Sequence, residues 1–214
     1  MIVAIDGPAG VGKSSIAEMV AQQSSFTYLN SGSFYRAYTY LHQREGGDTS
    51  DLPQVLQTAK NHSLTIEKGR LFADGVDIEG FLRTKEVDAV VAQVSAYPPL
   101  RSYVNEQVKA LAQNKDIIVE GRDITTVVFP DAELKIYFDA KAEVRAQRRH
   151  EQNPEGMSYE EVLAAVKARD EIDRNKAVGA LKQAEDALYI DTSYLTMNEV
   201  CEKVLSAIFA LKMG

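Results

Sequence analysis

Residues 7–14 read Gly7-Pro8-Ala9-Gly10-Val11-Gly12-Lys13-Ser14, and this stretch decides the fold of the chain. The apolar run Ile2-Val3-Ala4-Ile5 comes before it and predicts a buried strand. A helical apolar period begins after it, at Ile16. Strand, G-x-x-x-x-G-K-S loop and helix form the context of a P-loop, in which backbone N–H groups and a helix N-terminus surround an anion. The sequence therefore predicts that the chain binds a nucleoside triphosphate.

Two residues of the loop have predicted roles of their own. Lys13 is expected to reach the outer phosphates, and the Ser14 hydroxyl is expected to hold the Mg²⁺ that accompanies them. A glycine-rich turn that merely joins a strand to a helix is the alternative. The complete pattern and its flanking elements disfavour it. The predicted nucleotide-binding residues are Gly7, Pro8, Ala9, Gly10, Val11, Gly12, Lys13, Ser14 and Ser15.

The bulk properties describe an ordinary globular protein. The 214 residues suffice for one α/β domain with excursions, and the net charge of −7 argues against a surface that coats nucleic acid. Cys201 is the one cysteine and excludes a disulfide within the chain, so we expect a buried, inert thiol and a reducing compartment. Neither a signal peptide nor an apolar run of membrane-spanning length is recognisable, and we expect a cytoplasmic protein.

Strands alternate with helices along most of the chain, which predicts a parallel sheet of about five strands with helices on both faces. The predicted sheet strands are 2–5, 26–29, 117–119, 134–138 and 188–190. Between them, residues 64–78 predict an inserted antiparallel meander with turns at Lys68-Gly69 and Asp74-Gly75. Ser31 is the predicted N-cap of the helix after the second strand, and a later helix is expected over 100–113.

Charged residues follow the central apolar strand directly. Glu120, Arg122 and Asp123 come after the run 117–119, where burial is unfavourable unless charges are paired or used. A carboxylate at this place in a P-loop protein is expected on the Mg²⁺ side, so Glu120 is a candidate. A solvated loop at a sheet edge is the alternative interpretation.

A second charged region covers two predicted helices. Arg145, Arg148 and Arg149 share one helix face, and Arg169, Asp173 and Lys176 share a face of the next helix. The polar stretch 151–156 lies between the helices as a hinge. This arrangement is typical of a lid, over about 149–167, that closes on phosphates. A helical hairpin with solvated charges is the alternative.

These features permit a hydrolase, a switch or a kinase. Two arginine sets favour transfer of a phosphoryl group to a second small anion, since such transfer requires mostly positioning and charge stabilisation. Arg36, Arg101 and Arg122 form the predicted acceptor set. The predicted lid set consists of Arg148, Arg149, Arg169 and Arg174.

Four motifs together resemble the bacterial cytidylate kinases, a family of P-loop nucleoside monophosphate kinases. They are Ile5-Asp6-Gly7-Pro8-Ala9-Gly10-Val11-Gly12-Lys13, Asn30-Ser31-Gly32-Ser33-Phe34-Tyr35-Arg36, Gly121-Arg122-Asp123 with Val127-Val128-Phe129-Pro130-Asp131-Ala132, and Arg169-Asp170-Glu171-Ile172-Asp173. The resemblance covers essentially the whole chain. It implies one kinase domain over 1–214, a monophosphate-binding lobe over 31–98 with an insert at about 62–84, and the lid.

The resemblance also implies an activity and its residues. The activity would be Mg²⁺-assisted transfer of the γ-phosphate of ATP to CMP or dCMP, giving ADP and CDP or dCDP, by a monomer that binds neither a nucleic acid polymer nor a membrane. Lys13, Arg148 and Arg169 would be catalytic, and Ser14 would bind the metal. Arg36 would bind the monophosphate beside Arg122. The cytosine edge would be faced by Arg101 and Asp123. Asp173 would accept hydrogen bonds from the sugar hydroxyls. The implied substrate-binding residues are Ser31, Tyr35, Arg36, Arg101, Arg122, Asp123, Arg169, Asp173 and Lys176.

The chain departs from the family pattern at three positions. Lys176 replaces an arginine and loses its bidentate fork, and Ala92 stands where some members have a serine near the base. Thr125 replaces a glycine, so we expect a differently shaped loop after Asp123. Two alternative functions stay open: a kinase for another nucleoside monophosphate or a small metabolite, and a nucleotide-gated switch without an acceptor.

Overall fold

The structure is a computed structural model that describes residues 1–67, 69–152 and 156–213. The strands are β1 (Ile2–Asp6), β2 (Thr27–Asn30), β3 (Leu64–Glu67), β4 (Arg70–Ala73), β5 (Val76–Asp77), β6 (Ile117–Gly121), β7 (Leu134–Asp139) and β8 (Leu188–Asp191). The helices are α1 (Lys13–Gln22), α2 (Ser31–Arg44), α3 (Leu52–Asn61), α4 (Lys85–Val94), α5 (Pro98–Ala112), α6 (Ala142–Gln152), α7 (Tyr159–Asn175) and α8 (Met197–Met213). Two short turns complete the set, a 3-10 helix at Glu79–Phe81 and a π-helical turn at Ile124–Val128.

The chain forms two compact units. Unit 1 consists of Met1–Tyr28 and Asn114–Gly214, and unit 2 consists of Leu29–Gln113. The monophosphate-binding lobe was predicted over 31–98, whereas unit 2 also takes in α5. Among the described residues, every helix is too short or too polar to cross a membrane.

Strand β1 lies in the middle of a five-stranded parallel sheet with the order β2-β6-β1-β7-β8. Ile5 stands opposite Glu120 in β6 and Ile136 in β7. Parallel strands are buried on both faces when helices cover both sides of the sheet, which is why these strands read as continuous apolar runs. The predicted parallel sheet is confirmed.

The carboxyl end of this sheet carries polar residues. β1 ends at Asp6 opposite Gly121 of β6, and β7 ends at Asp139 opposite Asp191 of β8. Because parallel strands end at a common edge, the loops that follow β1, β6, β7 and β8 leave the sheet on one side. The candidate residues of the P-loop, Arg122 and Asp123 lie on these loops or at the start of the helix that follows, whereas Glu120 lies near the end of β6 itself.

Helix α8 closes one face of the sheet against α1. Cys201 of α8 is 1% exposed and belongs to the apolar core with Val20 and Phe138, so the predicted buried thiol is confirmed. At the start of α8, Thr196 N–H donates to the Glu199 carboxylate and Glu199 N–H donates to Thr196 Oγ1. This reciprocal capping satisfies backbone donors that the first helical turn leaves unpaired.

Helices α6 and α7 pack as an antiparallel pair. Ala146 of α6 and Val162 and Val166 of α7 form a small apolar cluster. Ser158 and Glu161 cap the start of α7 reciprocally. The predicted hinge 151–156 includes Asn153, Pro154 and Glu155, which lie outside the described residues.

Unit 2 combines α2 to α5 with an antiparallel sheet of order β3-β4-β5. Asp74 (φ 49°) and Gly75 (φ 79°) form the two-residue connection between Ala73 and Val76, as hairpin geometry requires. The predicted meander and this turn are confirmed. Of the other predicted turn, Lys68 lies outside the described residues.

Two predicted helix starts were wrong. The N-cap of α2 is Asn30, whose side chain accepts from Gly32 N–H, and Ser31 is the first helical residue. Asparagine and serine both make good N-caps, so sequence alone does not choose between neighbours. Helix α5 begins at Pro98 rather than Leu100, because proline fits the first turn, where its missing N–H leaves no bond unmade.

In unit 2, His62 joins the end of α2 to the meander. Its Nε2 lies 2.8 Å from Glu45 Oε1, and its Nδ1 lies 2.5 Å from Asp74 Oδ2. The hydrogen bonds with Asp74 and Glu45 raise the pKa of His62. The same bonds from His62 lower the pKa of both carboxyl groups. The protonated imidazole therefore ties two elements together.

This contact predicts a pH-dependent stability of the meander. Because the pKa of His62 is raised in the folded state, its contribution is complete below the ordinary pKa of imidazole and is lost as the pH rises through the raised value. The two carboxylates are 49% and 50% exposed, so we expect a loss of only about 0.5–1 kcal/mol. Amide hydrogen exchange in β3 to β5, corrected for the pH dependence of the intrinsic exchange rates, measures this loss of stability. His62→Gln should remove the pH dependence, and the control His150→Gln in α6 should keep it.

Candidate active site

The P-loop leaves β1 through a close approach of two backbones. Gly7 has φ +152°, and a Cβ there would lie 2.3 Å from the carbonyl oxygen of Phe138 in β7. Gly12 has φ 94° and is the N-cap of α1. Side chains other than hydrogen would clash at the first position and be strained at the second. The loop therefore curls at the positive end of α1, where an anion is stabilised.

Lys13 is buried inside this loop. Its ammonium donates to the carbonyl oxygens of Gly7 and Pro8, at 2.8 Å each. Burial, and then the nearby Arg122 guanidinium, lower the pKa of Lys13 to about 7. An anion in the loop favours the charged form of a neighbouring amine, so bound phosphate would restore the charge.

Ser14 and Glu120 come together beside Lys13. The Ser14 hydroxyl donates to Glu120 Oε1 at 2.5 Å, and the Tyr28 hydroxyl donates to the same oxygen at 2.7 Å. Burial and the Glu120 carboxylate raise the pKa of Tyr28, so this phenol keeps its proton and acts as a donor. The site thus presents a hydroxyl oxygen and a carboxylate oxygen side by side.

Asp173 of α7 is surrounded by cations. Its carboxylate lies 2.9 Å from Arg122 Nε, 3.3 Å from Arg169 Nε and 3.0 Å from Lys176 Nζ. Burial would raise the pKa of Asp173, but Arg122 and the two other cations outweigh it and hold this pKa well below its usual range. The structure therefore brings four of the predicted substrate-binding residues into one cluster, which we call the Asp173 cluster.

Two further residues hold the P-loop, one in α6 and one directly after β8. Arg145 pairs with Asp170 of α7, at 2.9 Å and 2.5 Å, and donates to the Ala9 carbonyl oxygen at 3.1 Å. Thr192 Oγ1 donates to the Val11 carbonyl oxygen at 3.1 Å. The sequence grouped Arg145 with Arg148 and Arg149 on one helix face, but Arg145 is 2% exposed and supports the P-loop.

Arg148 lies one turn further along α6. Its Nη2 donates to the Thr192 carbonyl oxygen at 2.6 Å, and its Nη1 lies 3.3 Å from Thr192 Oγ1. Because Thr192 also binds the P-loop, this predicted catalytic arginine is linked to the loop through one residue. Arg149 is exposed.

Asp6 ends β1 immediately before the P-loop and is fully buried. Its Oδ1 accepts from Ile124 N–H at 2.9 Å, and its Oδ2 accepts from Thr125 N–H and Thr125 Oγ1–H at 2.7 Å each. Asp123 starts the π-helical turn Ile124–Val128 without a side-chain cap. Of the described non-glycine residues, only Asp74 and Asn114 have positive φ, so Thr125 accommodates the turn without that strain.

The remaining predicted residues belong to unit 2. Arg36 donates to Asp88 Oδ1 at 2.6 Å and to the Leu82 carbonyl oxygen at 2.9 Å. Arg101 is buried, donates to the Ser95 carbonyl oxygen at 2.9 Å and lies over the Tyr35 ring, 5.7 Å from its centroid. Unit 2 thus brings Tyr35 and Arg101 together. Ser31 begins α2, and Ala92 lies in α4.

Sequence reasoning missed Asp6, Asp170 and Thr192. The signal that selected Glu120, an ionisable residue directly after a buried strand, was also present at Asp6. No comparable local signal marks Asp170 or Thr192, whose partners are distant in the chain.

The chain is similar to proteins of a known family over nearly its whole length. A sequence model of the family described as cytidylate kinase matches residues 3–210. The chain belongs to the cytidylate kinase family. It is 38% identical over 217 residues to the cytidylate kinase of Borrelia hermsii (strain HS1 / DAH), covering 99% of each chain. It is 39% identical over 215 residues to that of Carboxydothermus hydrogenoformans, covering 97% of each.

The fold of this cytidylate kinase family member extends to other kinases. A crystal structure of shikimate kinase from Bacteroides thetaiotaomicron matches with a TM-score of 0.50 and 11% identity, over 97% of this chain and 98% of that chain. The likeness shows a common P-loop kinase fold. Together with the curated relatives, family membership makes the chain an ATP-dependent nucleoside monophosphate kinase.

Lys13→Met is expected to lower kcat by at least ~10²-fold, because the ammonium stabilises charge on the transferring group more than it holds the nucleotide. Steady-state kinetics with ATP check this. The control Lys212→Met removes an ammonium from the exposed pair with Asp116 and should leave kcat unchanged. A raised KM for ATP with normal kcat would contradict the role.

The Arg145–Asp170 pair gives a prediction on stability. Asp170→Ala leaves the Arg145 charge buried without its carboxylate and should lower the free energy of unfolding by about 3–5 kcal/mol. The control Asp186→Ala breaks the pair with Lys135, in which Asp186 is 67% exposed, and should cost far less, because solvent screens an exposed ion pair. Urea unfolding of both variants measures the difference, and equal losses would refute a special contribution from the buried pair.

Proposed function

We propose that this nucleoside monophosphate kinase transfers the γ-phosphate of ATP to CMP or dCMP, giving ADP and CDP or dCDP. One observation carries the proposal: Arg122, which lies 2.9 Å from Asp173, directly follows Gly121, and Gly121 stands opposite Asp6, the residue that enters the P-loop. Groups suited to the transferring phosphates and to an acceptor therefore belong to one site. The names of the curated relatives support cytidine as the acceptor nucleoside.

On the donor side, the P-loop backbone would hold the ATP phosphates, and Lys13 would contact the outer ones. Lys13 now binds the Gly7 and Pro8 carbonyl oxygens, so a phosphate would replace those acceptors. The contacts of Ala9 with Arg145 and of Val11 with Thr192 hold the loop from outside. Binding then requires little change of the loop itself.

The pair of Ser14 and Glu120 fits Mg²⁺, which prefers oxygen ligands and is usually bound by one or two side chains together with substrate phosphates. Ser14 would hold the ion, with Glu120 beside it. When bound, Mg²⁺ neutralises charge on the phosphates.

On the acceptor side, Arg36 and Arg122 would bind the monophosphate, and Ser31 and Tyr35 would line its site. A phosphate oxygen of CMP forms the new bond to the γ-phosphorus, and the bond from that phosphorus to the β–γ bridging oxygen breaks. Because the attacking oxygen is already ionised, the step needs no general base. Asp173 stays ionised, since its pKa is held low, and so can accept from sugar hydroxyls.

The segment 149–167 is proposed as a lid. Arg148, Arg149 and Arg169 would bring positive charge to the transferring group as it closes. Of this segment, Asn153, Pro154 and Glu155 lie outside the described residues. Lys176 would contact phosphate more weakly than the family's arginine, because an ammonium lacks the planar fork.

Base selection is proposed to rest on Arg101 and Asp123. Cytosine offers an amino donor at N4 and acceptors at N3 and O2. Uracil instead offers an acceptor at O4 and a donor at N3. A carboxylate only accepts and a guanidinium only donates, so both suit cytosine and oppose uracil. With uracil bound, Asp123 and Arg101 would both lose their hydrogen-bond partners on the base. This loss would cost about 2–4 kcal/mol, or roughly 30- to 1,000-fold in kcat/KM for CMP over UMP.

The test is a coupled assay of the purified chain with ATP and a panel of acceptors: CMP, dCMP, UMP, AMP and shikimate. We expect CMP or dCMP to have the highest kcat/KM. A higher value for another acceptor would replace the proposed substrate. Hydrolysis of ATP at the same rate with and without every acceptor would indicate a switch.

Asp123→Asn sharpens the test of base selection, because an amide can donate or accept. We expect CMP activity to fall and UMP activity to hold or rise, narrowing the gap between them. Asp131→Asn makes the same change at an exposed carboxylate and should leave the ratio unaltered. Equal losses toward CMP and UMP in Asp123→Asn would mean that Asp123 shapes its loop instead of reading the base.

A further inference from the structure

The Asp6 carboxylate and the Ile124–Val128 turn satisfy each other. A buried carboxylate is unfavourable unless it accepts hydrogen bonds, and burial raises the pKa of Asp6 to about 6. The first N–H groups of a helical turn equally lack intrahelical partners. Ile124 N–H and Thr125 N–H both donate to this carboxylate, at 2.9 Å and 2.7 Å.

Thr125 adds a third bond through its hydroxyl, at 2.7 Å from Asp6 Oδ2. The residue is 1% exposed, so solvent does not supply a replacement if that hydroxyl is removed. A hydrogen bond to a charged group contributes more than one between neutral groups. The Thr125 side chain is thus the part of this contact that a substitution can remove while the backbone bonds remain.

The contact between Asp6 and the turn matters more for the segment that carries Arg122 and Asp123 than for the P-loop. The P-loop has further anchors, since Ala9 binds Arg145 and Val11 binds Thr192. The turn follows Arg122 and Asp123 directly, and Asp6 binds its first two residues. A loosened turn therefore displaces Arg122 and Asp123 before it displaces the phosphate-binding loop.

We propose that Thr125, through Asp6, is a positioning residue for the acceptor side of the reaction: it holds the turn that sets Arg122 and Asp123. Neither Thr125 nor Asp6 touches a reacting atom in this role. The inference rests on the proposed function, because it assigns Arg122 and Asp123 to the nucleoside monophosphate.

The test compares two threonine-to-valine variants that differ by one position. Thr125→Val removes the hydroxyl bond to Asp6 in a nearly equal volume. We expect it to raise KM for CMP by roughly 10-fold while KM for ATP changes by less than about 2-fold. Thr126→Val makes the same change at the adjacent, half-exposed threonine and should leave both constants unaltered. Thr125→Ser keeps the hydroxyl and should restore KM for CMP.

A second measurement needs no substrate. Amide exchange of Ile124 and Thr125 in the free protein should accelerate in Thr125→Val and not in Thr126→Val. If the wild-type chain fails to phosphorylate CMP, the proposed function fails and this exchange still reports on the contact. If the chain phosphorylates CMP but Thr125→Val matches Thr126→Val, or raises both KM values equally, or is not rescued by serine, the positioning role is wrong.

Discussion

Charges buried at the carboxyl edge of the parallel sheet of unit 1 are the constraint on which the site depends. A buried charge persists only when it is paired or hydrogen-bonded. Lys13 binds two carbonyl oxygens of its own loop, and Asp6 binds the turn after Asp123. Asp173 lies among three cations. These pairings hold the edge of the sheet in place.

This constraint also sets the electrostatics of the site. Burial pushes the pKa of Lys13 down to about 7 and that of Asp6 up to about 6. Asp173 shows the opposite outcome for a buried acid, because its cations outweigh the desolvation. Burial at this edge therefore leaves Lys13 easily neutralised but Asp173 firmly ionised, because the neighbours of the two groups differ.

In unit 2, the candidate arginines Arg36 and Arg101 are both held by contacts within the unit. Arg36 is paired with Asp88, and Arg101 is held by the Ser95 carbonyl oxygen and the Tyr35 ring. Both guanidinium groups are thereby oriented by protein groups before any ligand is present. Such orientation reduces the side-chain entropy that a binding site loses when a ligand engages it.

The sequence by itself determined the elements whose cause is local. The P-loop pattern, the apolar runs of the strands and the helical periods predicted the parallel sheet, the meander and the two arginine-bearing helices, which are α6 and α7. Where two good caps stand side by side, as Asn30 and Ser31 do, local preference was not decisive. Residue types at a strand end also selected Glu120 and Arg122 as site candidates, because charge after a buried strand is visible in the sequence.

Only the tertiary structure decided which of these groups meet. Asp6 and Thr125 are 119 positions apart, and Arg145 and Asp170 are 25 apart. Their pairing follows from strands and helices that end at one edge of a sheet, and no spacing in the chain encodes that edge. For the same reason, three arginines on one face of α6 have different surroundings: Arg145 is buried beneath the P-loop, Arg148 binds Thr192 and Arg149 is exposed. Periodicity gives the face of a helix, and packing decides what each part of that face touches.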